Sequence, residues 1–353
     1  MTSEIRPKFP GTVIKRMTAS LVDLWPGLLT SLTIAVAAMF VSSRYGGPTL
    51  LFALLLGIAF NFLSDHARVM QGVEFASRTV LRIGVALLGA RIGVEQILQV
   101  GWVAVVLIVG MVPLTILFGR LIARRLDQSG QMGILTGGAV AICGASAALA
   151  ISSVLPPSRS RERDTLFTVV GVTTLSTICM VFYPAVLSLF DLSDVQAGYI
   201  IGASVHDVAQ VVGAGYVISE QAGDTATLTK LLRVAMLIPT TLILAFAATR
   251  FVTGGAGGAG KARVKVPTFL IGFVILAVMA NLSVLPPVAV EAASTASSWC
   301  LVTAIAALGV KTAIKDFLEL GWRPVALMVV ETAFLAAAVA TAVIVGGSSV
   351  VVG

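Results

Sequence analysis

The chain has 353 residues, of which 57% are hydrophobic and only 12% are charged, and it carries a net charge of +7. Because a soluble domain has about 25% charged residues, this chain lacks the charge to cover a surface that faces water. The composition therefore excludes soluble enzymes, disulfide scaffolds and disordered proteins. It predicts an all-α polytopic membrane protein embedded in a lipid bilayer.

The basic residues are expected to orient the chain rather than to bind nucleic acid. Lys and Arg concentrate in the cytoplasmic loops of membrane proteins, and the sequence lacks the basic stripes and stacking aromatics of nucleic-acid-binding modules. The three cysteines lie in apolar runs without a metal-binding spacing. The sequence thus predicts no disulfide framework, no metal site and no cofactor.

Long apolar runs predict a single membrane domain at 26–353, preceded by a basic segment at 1–25 that is expected in the cytoplasm. The first run has no Ala-x-Ala-like cleavage site, which favours a membrane helix over a removed signal peptide. Two segments, 130–155 and 195–218, are apolar but interrupted by Gly, Ser and polar residues. Nine continuous helices are predicted at 26–43, 48–63, 74–90, 101–123, 165–190, 227–252, 267–285, 291–310 and 321–346.

A glycine-rich loop at 254–266 separates two of these spans. It matches most of a phosphate-binding loop, but Ala262 stands where Ser or Thr must bind magnesium. The loop is therefore predicted to be a flexible connection without a nucleotide site.

An internal repeat is the most informative feature of the sequence. Segment 48–109 matches segment 268–329 without a gap when the chain is shifted by 220 residues. Asn, Gly and Trp rarely match by chance in an apolar background, and they recur in both copies. Matched pairs are Asn61 with Asn281, Gly101 with Gly321, Trp102 with Trp322, and Arg91 with Lys311.

The distribution of basic residues predicts that the two copies run through the membrane in opposite directions, as an inverted repeat. This holds whether both interrupted segments cross the membrane or both are re-entrant hairpins. Hairpins place the basic loop at 159–163 in the cytoplasm, where the positive-inside rule favours it, whereas full crossings place it outside. The sequence leaves both alternatives open.

Inverted repeats with two interrupted helices are typical of secondary transporters, whose substrates bind near the middle of the membrane where the helices break. Glycines let the backbone leave helical geometry, and the free N–H groups at the start of a half-helix attract anions. The alternative for such small residues is close packing between helices. Candidate substrate-binding residues at the two breaks are Thr136, Gly137, Gly138, Cys143, Gly144, Ser146, Gly202, Ser204 and Gln210.

Three ionisable residues, His206, Asp207 and Glu331, lie deep in apolar segments. Because an acidic group at the bilayer centre costs about 2.5–3.5 kcal/mol on insertion scales, these residues are candidates for binding a coupling proton or sodium ion. The alternative for His206 and Asp207 is a structural pair whose charge is satisfied by a helix end.

Four further polar residues are expected to have structural roles. Asn61 and Asn281 are predicted to donate hydrogen bonds between helices rather than to bind a ligand. Lys230 and Arg233 fall near the end of the span predicted at 227–252, so their side chains are expected to snorkel to the membrane surface. Arg233 is also a candidate partner for an anion.

Two motifs, GGAVAICGASA at 137–147 and GASVHDVAQV at 202–211, resemble a known family, as does LGAR at 88–91. Together they are similar to the YeiH-type family of bacterial inner-membrane proteins, to which sulfate export is ascribed. The resemblance implies a multi-pass inner-membrane protein distantly related to cation–proton antiporters and bile-acid symporters. By this analogy the interrupted segments hold the transport site. Because related carriers are often dimers, the resemblance also allows a homodimer.

We therefore expect a secondary transporter, not an enzyme, that exports a small anion such as sulfate or another sulfur oxyanion. It would work by alternating access with coupling to a proton or a cation. The alternative is an anion channel or passive pore, which differs in its kinetics. An enzyme acting on lipid would need a nucleophile or a metal constellation that the sequence lacks.

Overall fold

The computed structural model describes residues 11–158, 160–252, 268–312 and 321–347, and every regular element in these ranges is a helix. The helices are α1 (Gly11–Tyr45), α2 (Thr49–Ala59), α3 (Ala67–Phe75), α4 (Leu81–Leu88), α5 (Val94–Arg125), α6 (Gly130–Ala141), α7 (Ala145–Val154), α8 (Arg161–Leu187), α9 (Asp194–Ser204), α10 (Val208–Ile218), α11 (Glu220–Ala235), α12 (Leu237–Val252), α13 (Thr268–Asn281), α14 (Pro287–Lys311) and α15 (Trp322–Gly346).

The prediction of an all-α polytopic membrane protein is confirmed. The described part of the chain contains six helical stretches long and apolar enough to cross a membrane, and α2, α7, α10 and α13 are shorter apolar helices. The six stretches are Asp23–Tyr45, Val100–Arg125, Arg161–Leu187, Glu220–Ala248, Pro287–Lys311 and Trp322–Gly346.

Four predicted helix starts are wrong by two turns or more. Helix α1 begins at Gly11 instead of residue 26, and α5 begins at Val94 instead of residue 101, with a non-helical Gly101 inside it. The helix predicted from residue 74 follows a continuous path from Ala67, through α3, a π-helical turn and α4. The helix predicted from residue 227 begins at Glu220. Charged and polar residues interrupt the missed stretches at 67–73 and 220–226, so a continuous apolar run does not reveal them, although the first turns of α11 are largely buried.

Residues that match under the 220-residue shift have matching structures. Asn61 Nδ2 donates to the carbonyl oxygen of Thr312 at 3.0 Å, and Asn281 Nδ2 donates to that of Ile92 at 2.9 Å. These two acceptors are themselves 220 residues apart. Asn61 therefore joins the end of the short helix α2 to the end of α14. In the same way, Asn281 joins the end of the short helix α13 to the chain just after α4.

Gly101 and Gly321 show the same correspondence in the backbone. Their φ angles are 71° and 81°, a conformation that glycine adopts without strain. Each glycine precedes an exposed tryptophan, Trp102 or Trp322, whose exposed fractions are 76% and 69%. Exposed tryptophans at the ends of membrane helices are typical of the interface between membrane and water.

Each interrupted segment folds back on itself. In hairpin 1, formed by α6 and α7, the backbone of Gly138 lies against the side chain of Ile151, which a straight helix would place about 20 Å away. In hairpin 2, formed by α9 and α10, Gly198 and Gly215 both lie against Ala222 of α11. Of the two arrangements that the sequence allows, the structure has the hairpins.

The two hairpins approach each other from opposite ends of the molecule. Helix α8 passes along both, since Thr165 near its start is 2.7 Å from Ser152 of hairpin 1, and Met180 lies against Gly213 of hairpin 2. Between these contacts the hairpin tips meet, and Gly144 lies next to Asp207. The two breaks in the chain therefore come together in the middle of the fold.

This arrangement predicts that the hairpin bases lie on opposite faces of the membrane. Single cysteines at Ser158 and Asp191, which are exposed beside hairpins 1 and 2, should react with a membrane-impermeant maleimide from opposite faces. The background should have all three native cysteines replaced, because Cys300 is partly exposed and a single reactive position requires that Cys143 and Cys179 be absent as well. The arrangement would be contradicted if both cysteines were labelled only in intact vesicles, or both only in inverted vesicles.

Candidate functional site

Four helix ends meet where the hairpin tips come together. In hairpin 1, α6 ends at Ala141 and α7 begins at Ala145, and Gly144 between them has a φ of 61°. In hairpin 2, α9 ends at Ser204, and Asp207 is the residue that precedes α10. The meeting point thus combines two helix C-termini, with unpaired carbonyls, and two N-termini, with unpaired N–H groups.

Two cations on α11 satisfy the carbonyls of the C-termini. Lys230 and Arg233 are almost completely buried, with exposed fractions of 0% and 2%. Lys230 Nζ donates to the carbonyl oxygens of Ile142 at 2.6 Å and Val205 at 2.9 Å. The guanidinium of Arg233 donates to the carbonyls of Val140, Ala141, Gly202 and Val205 at 2.7–3.0 Å. A cation at a helix C-terminus also stabilises the negative end of the helix dipole.

The expectation that Lys230 and Arg233 snorkel to the membrane surface is wrong. It followed from starting their helix at residue 227, which put both residues near its end. Because α11 begins at Glu220 and its apolar path continues to Ala248, both cations lie well inside the span. Their partners are main-chain carbonyls of distant segments, which a sequence pattern does not identify.

The N-termini of α7 and α10 are left open. Neither start receives a capping hydrogen bond from the side chain that precedes it. Their first residues line a cavity of about 880 Å³, which extends along hairpin 1 from Ser146 at the tip to Ser153 near the base. The N-termini of both half-helices therefore border one space, and helix N-termini are recurrent binding sites for anions.

The charges that line the cavity also favour an anion. Among the described lining residues, Arg78, Arg82 and Lys311 are cationic and Asp207 is the one carboxylate. Arg78 forms an ion pair with Glu74 at 2.9 Å. Hydroxyl groups also line the cavity, at Ser77, Ser146, Ser153, Thr173, Thr174, Thr177, Thr268 and Thr312. Those of Ser77, Ser153, Thr173, Thr177 and Thr312 donate to main-chain carbonyls.

The structure brings only some of the predicted site residues to the cavity. Cys143, Ser146 and Asp207 line it, and Gly144 lies at the tip between them. The other candidates lie within regular helices: Thr136, Gly137 and Gly138 in α6, Gly202 and Ser204 in α9, and Gln210 in α10. Gly137 packs against α5 and Gly202 against α11, which is the packing role that small residues often have.

Three other predicted polar residues are buried behind the tips. His206 Nε2 is 2.8 Å from the hydroxyl of Thr332, which is also 2.7 Å from the carbonyl oxygen of Met328. The Glu331 carboxyl is 2.8 Å from the Thr136 hydroxyl. Gln210 Nε2 donates to the hydroxyl of Thr177 at 3.2 Å.

A second polar cluster, which the sequence does not predict, lies at the base of hairpin 2. The guanidinium of Arg91 contacts Asp224 at 2.6 Å and Glu220 at 3.1 Å, and the hydroxyl of Tyr216 donates to Asp224. The Asp224 side chain is only 7% exposed. We call this group the Arg91 cluster. It joins the end of α4 to hairpin 2 and α11.

The chain matches a known protein family. A family model described as Conserved hypothetical protein 698 matches residues 26–328. The chain belongs to this family. The match confirms the family membership that the two interrupted motifs indicate.

The relatives are bacterial membrane proteins. A UPF0324 membrane protein of Chlorobaculum tepidum is 50% identical over 321 residues, which cover 91% of this chain and 89% of the relative. The UPF0324 membrane protein TauZ of Paracoccus denitrificans is 47% identical over 313 residues, covering 88% and 92%. No solved structure matches the chain. With the apolar helices described above, these relatives make this chain a multi-pass protein of a bacterial membrane.

Removal of the Arg233 guanidinium is expected to destabilise the fold severely. Arg233→Ala leaves four buried carbonyls without this donor, and a buried unsatisfied group costs about 1–3 kcal/mol. The melting temperature of the purified protein in detergent should fall steeply, and Arg233→Lys should recover only part of the loss. As a control, Arg82→Ala removes an exposed cation that faces the cavity and should change the stability by less than about 1 kcal/mol. Equal melting temperatures for Arg233→Ala and Arg82→Ala would refute this role.

Proposed function

We propose that the protein is a secondary transporter that exports a small anion by alternating access, and that it is not an enzyme. One observation carries the proposal: the N-termini of two half-helices open into a single cavity whose lining has more cations than carboxylates. Helix N-termini supply N–H donors and a positive dipole end for an anionic ligand. The family resemblance favours sulfate or another sulfur oxyanion as the substrate.

The proposed transporter is an inverted repeat with its N-terminus in the cytoplasm. Segments 48–109 and 268–329 are its two halves, and hairpins 1 and 2 enter from opposite faces. The basic end of α5, at Arg124 and Arg125, leads directly into hairpin 1, so the positive-inside rule assigns the base of hairpin 1 to the cytoplasm. The cavity, which follows hairpin 1, then faces the cytoplasm. A negative interior potential drives an anion outward by about 2.3 kcal/mol per charge and per 100 mV.

Alternating access requires that one side is closed while the other is open. On the side of hairpin 2, the Arg91 cluster closes the molecule. On the side of hairpin 1, Lys311, the counterpart of Arg91 in the repeat, lines the open cavity. Asp164 lies near the start of the helix after hairpin 1, as Asp224 does after hairpin 2. We propose that Lys311 pairs with Asp164 when the cavity closes and the Arg91 cluster opens.

Asp207 is the proposed coupling residue. It lies between the two open N-termini, so an anion bound there places a second negative charge beside this carboxylate. Two neighbouring negative charges favour uptake of a proton or a cation by the pair. Binding of the anion and of the coupling ion is then linked, and each increases the affinity for the other. His206 and Glu331, buried behind the tips, are further groups able to hold a proton.

Transport by the purified protein in liposomes tests this function. Uptake of at least one of sulfate, sulfite and related anions should saturate, respond to membrane potential and show counterflow. Ser146→Asp places a carboxylate at the open end of α7 and should reduce the flux at least about tenfold, equivalent to about 1.4 kcal/mol. The matched control Ser153→Asp adds the same charge near the base of hairpin 1 and should have a much smaller effect. Flux without saturation or counterflow identifies a passive pore instead.

The paired closures can be tested through the accessibility of the cavity. A cysteine at Ser153, in a chain whose three native cysteines are replaced by alanine, should be labelled from the side of hairpin 1. Asp224→Asn weakens the Arg91 cluster, favours the opposite state and should slow labelling several-fold. Asp164→Asn removes the proposed partner of Lys311 and should accelerate labelling. Changes in the same direction in both variants would exclude the paired closures.

A further inference from the structure

We infer that the transported anion carries a proton of its own, and that Asp207 selects it by accepting a hydrogen bond from that proton. The substrate class is then an oxyanion that keeps an O–H group near neutral pH, such as hydrogen phosphate, hydrogen carbonate or hydrogen sulfite. Fully deprotonated oxyanions such as sulfate are disfavoured. This inference rests on the proposed function and narrows its substrate.

The position of Asp207 in the cavity is the first observation. Its backbone N–H donates to the hydroxyl of Ser176 on α8 at 3.0 Å, which holds the residue in place. Its side chain makes no capping bond to α10, although it occupies the position from which a carboxylate normally caps a helix. It is partly exposed and lines the cavity, whereas its neighbours His206 and Val208 are buried. The carboxylate is therefore available to a ligand.

The charged groups around Asp207 do not neutralise it by direct contact. Lys230 on α11 is committed to the carbonyls of Ile142 and Val205. Lys311 on α14 and Arg78 and Arg82 of the first repeat copy line the same cavity, as does the thiol of Cys143 in hairpin 1. None of the ion pairs found among the described residues includes Asp207.

Unpaired acceptors behind the tips are the second observation. Gln210 is on the first turn of α10 and gives its amide N–H to Thr177, which lines the cavity, but its Oε1 has no partner among the described residues. The same holds for Nδ1 of His206. Both atoms are buried, and proteins rarely leave buried polar atoms unpaired. Gln210 Oε1 is thus an unpaired hydrogen-bond acceptor close to the N-termini of the half-helices.

A site that contains both hydrogen-bond donors and hydrogen-bond acceptors selects a ligand that has both kinds of group. The N-termini of α7 and α10 and the hydroxyl of Thr174 on α8 are the donors that would bind the bare oxygens of an anion. An ionised carboxylate can only accept, so it repels a bare oxygen and binds an O–H group. Sites built to hydrogen-bond one group of a substrate reject analogues without that group by up to about 10⁴–10⁵. Because Asp207 is partly exposed, we expect a smaller preference of at least about tenfold.

Anions of the same shape and size that differ in protonation separate the effect of the proton on transport from the effects of shape and size. Phosphate and arsenate carry protons near pH 7, whereas sulfate and selenate have the same tetrahedral shape without them. The purified protein in liposomes is assayed for uptake of each anion, and of sulfite and hydrogen carbonate, between pH 6 and pH 8. For sulfite, which loses its proton between pH 6 and pH 8, the KM for total anion should rise as the proton-bearing fraction falls, while kcat changes little. For phosphate, arsenate and hydrogen carbonate, which keep a proton over this range, the KM should change little with pH.

Asp207→Asn tests the assignment to this residue, since asparagine offers an N–H donor where the carboxylate only accepts. The variant should lose the dependence of KM on the protonated fraction and should gain uptake of sulfate and selenate. The control Asp191→Asn removes the same charge at an exposed turn outside the cavity and should behave as the wild type. Thermal melting in detergent checks that both variants are folded.

The outcomes distinguish this inference from the function on which it rests. A tenfold or greater preference for proton-bearing anions that Asp207→Asn abolishes supports it. Equal or better transport of sulfate and selenate by the wild type overturns it and leaves the anion transporter intact. A preference that persists in Asp207→Asn overturns the role of Asp207. If the wild type shows no saturable flux of any of these anions, the proposed function itself fails.

Discussion

The hydrogen bonds from Lys230 and Arg233 to the ends of α6 and α9 are the interaction on which the rest of the structure depends. A chain that leaves helical geometry at membrane depth exposes carbonyls that lipid cannot satisfy. Six hydrogen bonds from two buried cations satisfy them here. The carbonyl dipoles in turn compensate the cost of burying the two positive charges. Neither the breaks nor the cations would be stable alone, so they form one unit.

The two cations and the helix breaks that they stabilise give the four helix ends two different roles. The C-termini of α6 and α9 are satisfied from within the protein, while the N-termini of α7 and α10 open into the cavity. A binding site needs groups that are fixed in place yet not already paired. The capped ends provide the fixed positions and the open ends provide the unpaired donors, with Asp207 between them as an acceptor.

Much of this site follows from the sequence, and the part that does not has a physical reason. Glycine, polar residues and apolar flanks predict both interruptions, and they identify Gly144, Ser146 and Asp207. The sequence does not show which glycine leaves the helix, because Gly137 and Gly138 are compatible with regular geometry when a close neighbour needs the space. Nor does it show that Lys230 and Arg233 are buried. Their helix starts with polar turns, which are buried because hairpin 2 packs against them and Arg91 pairs with Asp224.

Two adjacent residues of α15 have a mechanical consequence. Glu331 bonds to Thr136 in hairpin 1, and Thr332 bonds to His206 in hairpin 2. Helix α8 is likewise joined to both hairpins, through Ser152 and Asp207. The hairpins are thus clamped together from two sides, so their tips cannot part without breaking buried hydrogen bonds. The Arg91 cluster joins the end of α4 to this clamped core through two ion pairs, one to the exposed Glu220 and one to the buried Asp224, and motion is easier there. The core would then slide as a rigid body past the other helices, carrying its ligand with it, instead of opening like a pair of doors.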